Sequence, residues 1–303
     1  MEKGRDLASA RVSYTEMVPS RIARCPRRSI EHARTLEFRL GTSRCERSVD
    51  RSTVSQLVVL QLAADFACEP RHLLEDGVTV VEARRLADRR RFPWREKRLA
   101  LVTMGRGVVV CCDAERCDWA REHLLGLARD ELFSAARIHQ LQQQVAADGQ
   151  RMEGPVLKFA CANDQLTRAP KARDLACELE LFEGDQIDPL YDLDEMTEPL
   201  GSRENNERPD VLAVAARADG RVVGLAGASA DSDALWQIGV EVAPDWRGRG
   251  IAVTIVHALT RAILERGRVP YYSTYVSHLA SSQVARSVGY WLSWVELDER
   301  DVS

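Results

Sequence analysis

The run Val242-Ala243-Pro244-Asp245-Trp246-Arg247-Gly248-Arg249-Gly250-Ile251-Ala252 sets two glycines and two arginines directly before a helical pattern. A helix start exposes backbone N–H groups that lack an intrahelical acceptor, together with the positive end of the helix dipole. The chemistry this run offers is therefore anion binding. Glycines at 248 and 250 let a ligand approach the backbone where a Cβ would obstruct it, and successive turn amides can cradle a pyrophosphate. The spacing fits neither GxxxxGK[ST], since no Lys-Ser or Lys-Thr follows, nor GxGxxG, since the third residue after Gly250 is Val253. Readings as an ATP or dinucleotide site lose ground.

The elements that must hold this turn are legible on both sides of it. Ile251, Ile255, Leu259 and Ile263 recur on one helical face, with Thr254, His257 and Arg261 on the other, and Gly267 ends the helix. Upstream, residues 211–216, 221–228 and 234–242 read as a three-stranded antiparallel meander. Its turns are Asp219-Gly220 and Asp231-Ser232-Asp233, and Pro244 cannot continue a ladder. Residues 178–182 predict another strand, joined to the meander by an acidic connection through Gly201 and Pro209. Earlier, residues 53–66 read as a buried helix stopped by Pro70. Residues 77–83, 99–104, 108–112 and 155–161 read as strands, with Gly105-Arg106-Gly107 as a hairpin loop, and 114–130 and 132–147 as helices.

With its flanks, the turn resembles the GNAT superfamily of N-acetyltransferases, whose acetyl-CoA loop is [Q/R]-x-x-G-x-[G/A] between the fourth strand and the following helix. Arg247-Gly248-Arg249-Gly250-Ile251-Ala252 fills every fixed position. The family continues with a fifth strand, N-x-x-[S/A] opening a helix, and G-[F/Y] entering a sixth strand. Here Pro270-Tyr271-Tyr272-Ser273-Thr274-Tyr275-Val276 is a β-rich run, His278-Leu279-Ala280-Ser281 takes the cap position, and Gly289-Tyr290 begins the last strand. The resemblance covers residues 234–296, about a fifth of the chain, and extends more loosely back to about 178; over 51–160 it is silent.

The resemblance implies a mixed α/β (α+β) fold, a twisted sheet with flanking helices, for the C-terminal part; the strands and helices read over 51–160 put a second, smaller α+β domain before it. It implies acetyl-CoA as acyl donor and direct attack of an amine on the thioester in a ternary complex, with no metal. The amides of Arg247, Gly248, Arg249, Gly250, Ile251 and Ala252 would hold pyrophosphate. Val240 to Val242 would pair with the pantetheine arm and aim an N–H at the acetyl oxygen, and Ser281 would join the donor side. Arg247 and Arg249 either touch phosphate or are solvated. For the base the candidates are Glu241, His278 and Asp233.

Two positions depart from the family pattern. His278 stands where Asn is usual, as a weaker helix cap or as a titratable group near the thioester. Seven residues on, Ala285 stands where many members carry a tyrosine that acts as general acid. Tyr271, Tyr272, Tyr275 and Tyr290 lie near in sequence, where packing is the usual role of tyrosines in strands. The expectation is an N-acetyltransferase acting on a small-molecule or peptide amine; the alternative is a non-catalytic acyl-CoA-binding regulatory module.

Composition sets the frame. At 303 residues, 45% hydrophobic and 29% charged, the chain is long enough for two cores and far from the composition of a disordered chain. The expected division is an Arg-rich, poorly ordered extension over 1–50, an α+β domain over 51–160 that shapes the acceptor side, and a GNAT-like domain over 161–303. Eleven basic against seven acidic residues leave +4 over 1–50, seventeen against fifteen leave +2 over 51–160, and fourteen against twenty-four leave −10 over 161–303. That acidic half argues against a nucleic-acid partner. Twelve acids against Arg203 and Arg208 between 178 and 210 read either as a solvated loop or as a rim that attracts cationic ligands. Eight cysteines without CxxC pairs read as buried thiols, with adjacent Cys111 and Cys112 facing opposite ways in a strand. No apolar run reaches the ~18 residues of a membrane span and no secretory signal is visible, so the expected location is the cytoplasm.

Overall fold

Caps and glycines decide where the helices begin and end. Asp50, whose carboxylate accepts from the Thr53 N–H at 2.8 Å, starts α1 (Arg51–Asp65), and α2 (Arg71–Leu74) follows Pro70. Strands β1 (Gly77–Glu82), β2 (Leu99–Thr103) and β3 (Gly107–Cys112) precede α3 (Ala114–Leu124). The helix expected over 114–130 stops at Leu124, because Gly126 at φ +81° turns the chain out of it. After α4 (Arg129–Leu132), Ser134 caps α5 (Ala135–Ala146) by accepting from the Arg137 N–H. Then come β4 (Gln150–Ala160), β5 (Glu178–Glu183), a 3-10 helix (Gly184–Asp192), β6 (Asp210–Ala218), β7 (Arg221–Ala230) and β8 (Leu235–Val242). The chain ends with α6 (Ile251–Glu265), β9 (Val269–Tyr275), α7 (Leu279–Val288) and β10 (Trp291–Asp301). This computed structural model describes residues 49–91, 97–168, 177–193, 195–204 and 207–302. The extension expected over 1–50 thus lies outside the described residues up to 48.

All ten strands join one sheet in the order β1-β3-β2-β10-β4-β9-β8-β7-β6-β5, parallel at β1–β3 and β8–β9 and antiparallel elsewhere. The last strand of the 51–160 segment, β4, lies between β9 and β10, so the boundary expected near 160 runs through a continuous sheet. Residues Ser48–Ser303 form one compact unit.

Alternation along the strands divides the core between the two faces. On one face α6 and α7 cover Val214, Ala226, Ile238 and Tyr272, and α3 and α5 cover Leu101, Val110 and Cys112. On the other, α1 packs on Ala100, Val102, Tyr271 and Trp294, while the 3-10 helix and Met196 and Leu200 cover Ala213, Ala215 and Leu225. Ile255, Leu259 and Ile263 of α6 are fully buried, each contributing about 1.5–3 kcal/mol relative to exposure. The opposite face of α6 is buried as well: Thr254 and His257 are covered, and the His257 ring meets the Thr167 carbonyl at 2.9 Å. Only Arg261 of that expected polar trio is exposed. Cys111 and Cys112 enter cores on opposite faces, and burial pushes the Cys111 thiol up to about 12, which removes it as a nucleophile near neutrality.

Candidate functional site

Strands β8 and β9 pair from Leu235↔Val269 to Ile238↔Tyr272 and no further. Beyond this point β8 stays paired with β7, from Gly227↔Gly239 to Gly224↔Val242, and β9 stays paired with β4 through Lys158↔Ser273 and Val156↔Tyr275. The sheet therefore forks. Among the described residues no strand pairs the β9-facing edge of Gly239 to Val242, which an extended ligand can complete by main-chain hydrogen bonds.

At the open end of this edge lies the glycine turn. Gly248 and Gly250 sit at φ +76° and +83°, and a Cβ on either would meet nothing within 4 Å. Gly250 is also the N-cap of α6 and brings no side chain to the cap. The first turn of α6 has no acidic residue, and its first backbone bond runs from the Thr254 N–H to the Gly250 carbonyl at 3.1 Å. The amides from Gly248 to Val253 consequently have no acceptor among the described residues, and they converge at the positive end of a fifteen-residue helix. Open space, free amides and a helix dipole together fit a diphosphate.

Each residue singled out by the sequence has a place around this fork. Val240 and Val242 lie on the free edge with side chains packed toward α6. Arg247 donates from Nε to the Val242 carbonyl at 2.9 Å, while Arg249 donates to the Asp245 carbonyl at 3.0 Å and lies 4.6 Å over the Trp246 ring. Both arginines thus brace the turn. Ile251 is buried beneath it, and Ala252 is half-buried. Ser281, on the first turn of α7, shares a 2.8 Å hydrogen bond with the Tyr272 hydroxyl at the crotch of the fork. Glu241 points to the opposite face, where its Oε2 accepts from the Glu198 N–H at 3.3 Å. His278 is the exposed N-cap of α7 and makes no side-chain cap bond. Because α7 packs on the α6 side, the fork does not bring Glu241 and His278 together. Asp233 is exposed in the β7–β8 turn and pairs with Arg91. Ala285 is fully buried.

Several site features left no signal in the sequence. A Cβ at Gly227 would stand 2.3 Å from the Pro199 carbonyl oxygen, and one at Gly239 2.9 Å from it, so residues 198–200 lie directly on the sheet as a roof over one side of the fork. Asp210 ties that roof down: its Oδ2 accepts from the Tyr191 hydroxyl at 2.9 Å and from the Gly201 N–H at 2.8 Å. Burial pushes the Asp210 carboxyl up to about 6 against these hydrogen bonds. On the same face, Lys158 of β4 donates to Ser273 Oγ at 3.0 Å and pairs with Glu296 at 3.4 Å. Arg90 bridges Glu296 and Asp65, and Trp294 donates to Glu296 at 2.8 Å. Glu296 is held well below the usual carboxylate range; burial opposes this, but Arg90, Lys158 and Lys97 outweigh it.

A parallel strand pair thus forks beside the glycine turn, at whose end the amides that open α6 have no acceptor among the described residues. Residues 176–290 match the family model for the acetyltransferase (GNAT) family. This stretch is a GNAT acetyltransferase domain. It runs from the start of β5 to the end of α7 and contains both the fork and the turn. Among solved structures, a GCN5-related N-acetyltransferase-like protein from Streptococcus suis 89/1591 is 20% identical over 55% of this chain and 69% of its own, with a TM-score of 0.41. A putative acetyltransferase from the GNAT family of Novosphingobium aromaticivorans DSM 12444 is 21% identical over 50% of this chain and 66% of its own, with a TM-score of 0.37. AAC(6')-Iy, solved in complex with the bisubstrate analog CoA-S-monomethyl-acetylneamine, is 19% identical over 39% of this chain and 92% of its own, with a TM-score of 0.31. No curated protein matches the chain. No helix of the described residues is long and apolar enough to cross a membrane.

Proposed function

We propose that the chain transfers an acetyl group from acetyl-CoA to an amine by direct attack in a ternary complex. The observation that carries this is the edge of Gly239–Val242 that no strand pairs, followed by a turn whose amides at 248–253 have no acceptor among the described residues, on one side of a fork. The turn amides bind the diphosphate, and the β8 edge orients the pantetheine arm. Bound acetyl-CoA supplies an activated thioester carbon. An N–H of β8 stabilises the oxygen of that carbonyl as charge develops on it. Glu241, on the roofed face with one carboxylate oxygen occupied by the Glu198 N–H, takes the proton from the incoming ammonium. His278 stands exposed on the other face and serves as the cap of α7.

The acceptor enters from the face roofed by residues 198–200, bordered by Glu241 and the acidic 178–210 stretch, which favours a cationic small molecule or peptide amine. The β4 strand brings residues of the 51–160 segment to this side, consistent with a role for that segment in shaping the acceptor site. The second reading, an acyl-CoA-binding regulatory module, is favoured by one observation: the position of the usual acid is the fully buried Ala285. Calorimetric titration with acetyl-CoA, using adenosine diphosphate as control, tests the shared premise of both readings. Micromolar binding, clearly tighter than the control, supports a CoA site, and free CoA released on adding an amine panel then separates enzyme from module. Absence of binding refutes both.

A further inference from the structure

Resting on the acetyltransferase reading, we infer that Ser273 is the proton donor to the departing thiolate and that Lys158 is the residue that positions and recharges it.

Ser273 is the first residue of β9 beyond the last rung shared with β8, so its side chain stands at the crotch of the fork, where it is only half-buried. Its oxygen accepts from Lys158 Nζ at 3.0 Å and makes no other hydrogen bond among the described residues. A hydroxyl whose lone pair is engaged by an ammonium has its own O–H left to donate, and the ammonium polarises that bond. Lys158 is 8% exposed and belongs to a chain that fixes it from behind. Glu296 takes Lys158 on one oxygen and Trp294 and Arg90 on the other, and Arg90 is anchored by Asp65 of α1. This is a large buried ionic assembly to set behind one half-exposed serine. Burying charge costs free energy that hydrophobic packing would not, so its geometric product is the feature to explain. That product is an ammonium-polarised hydroxyl at the fork. The tyrosines offer no equivalent. Tyr271 is tied to Asp231 and Gln237, Tyr275 to Glu153, and Tyr290 to Thr260, while Tyr272 faces the α7 side with Ser281.

In the step itself the C–N bond has formed and the C–S bond breaks with its electron pair on sulfur. Ser273 O–H gives its proton to that sulfur as Lys158 gives one to Ser273 Oγ, and neutral Lys158 regains a proton from solvent after the products leave. No other reactant is required.

The test begins with binding. CoA and desulfo-CoA, which lacks the sulfur, are titrated calorimetrically at a pH where the CoA thiol is partly ionised, against wild type, Ser273→Ala and Ser273→Thr. Wild type and Ser273→Thr should prefer CoA by about 10-fold, the range of a hydrogen bond to a charged group. Ser273→Ala should bind both equally, with desulfo-CoA affinity unchanged. An undiminished preference for CoA in Ser273→Ala overturns the proposal, as does equal loss of affinity for both ligands, which marks a structural role. If wild type binds neither ligand, the acetyltransferase reading fails instead. In turnover with hydroxylamine as acceptor probe, Ser273→Ala should lose about 10²-fold in kcat with KM for acetyl-CoA within twofold, and Ser273→Thr should recover most of the loss. Unchanged kcat in Ser273→Ala overturns the proposal. Wild type that binds CoA but releases none from acetyl-CoA overturns it together with the enzyme reading.

Discussion

Replacing Gly250 by Asp puts a carboxylate at the N-cap of α6, where the unpaired amides of 248–253 converge. Two effects act, and the structure separates them. The first is conformational: at φ +83° any side chain costs about 1–2 kcal/mol, while the open surroundings add no steric penalty. Gly250→Ala carries the same cost without charge and is the reference. The second is electrostatic. A carboxylate about 4 Å from a phosphate at an effective dielectric constant near 20 is repelled by about 4 kcal/mol, and screening over a Debye length of about 8 Å reduces this to roughly 2.5 kcal/mol. The acetyl-CoA dissociation constant of Gly250→Asp should therefore exceed that of Gly250→Ala by about 10²-fold in calorimetry at physiological salt. The Asp carboxylate can also accept from the first amides of α6, occupying the donors intended for the ligand. In about 1 M salt, where the Debye length falls to about 3 Å, the gap should shrink to roughly 10-fold or less. Equal affinities of the Asp and Ala variants at low salt would refute the placement of diphosphate at this turn.

Four other outcomes follow from the same geometry. Glu241→Gln keeps the acceptor for the Glu198 N–H but cannot take a proton; kcat should fall by about 10²-fold in steady-state assays with calorimetric CoA affinity unchanged. Gly227→Ala drives a methyl into the Pro199 carbonyl, so the melting temperature should fall by the equivalent of about 1–3 kcal/mol as the roof is displaced. Because His278 caps α7 without a side-chain bond, His278→Asp should raise denaturant-measured stability by about 0.5–1 kcal/mol. Asp210 titrates near 6 when folded, against an ordinary value of 3.8, so the folded state binds its proton more tightly. The unfolding free energy should then decline as pH rises from about 4 to 6, by up to about 3 kcal/mol from this group, and urea titrations of Asp210→Asn should lack that decline.

Most individual elements are legible in the sequence because their signals are local. Hydrophobic alternation marks β6 to β8, Asp219-Gly220 marks their hairpin, and the 3.6-residue recurrence of Ile251, Ile255, Leu259 and Ile263 marks α6. The exceptions are also local: the two helices expected over 114–130 and 132–147 are three, α3, α4 and α5, separated at Gly126 and Ser134. Thr254 and His257 fall on the face of α6 opposite its apolar stripe, yet both are buried, because what covers a second helical face is set by the neighbours it meets.

By itself the sequence determined the glycine turn that opens α6, since glycines and a helix start are properties of a few consecutive residues. Only the tertiary structure decided that β4 sits beside β9, bringing Lys158 to Ser273 across 115 positions of sequence, and that residues 198–200 roof the fork. Strand order, side-chain networks and close backbone contacts depend on pairing between distant segments, and a pattern with a period of two or 3.6 residues carries no record of which segment its partner will be.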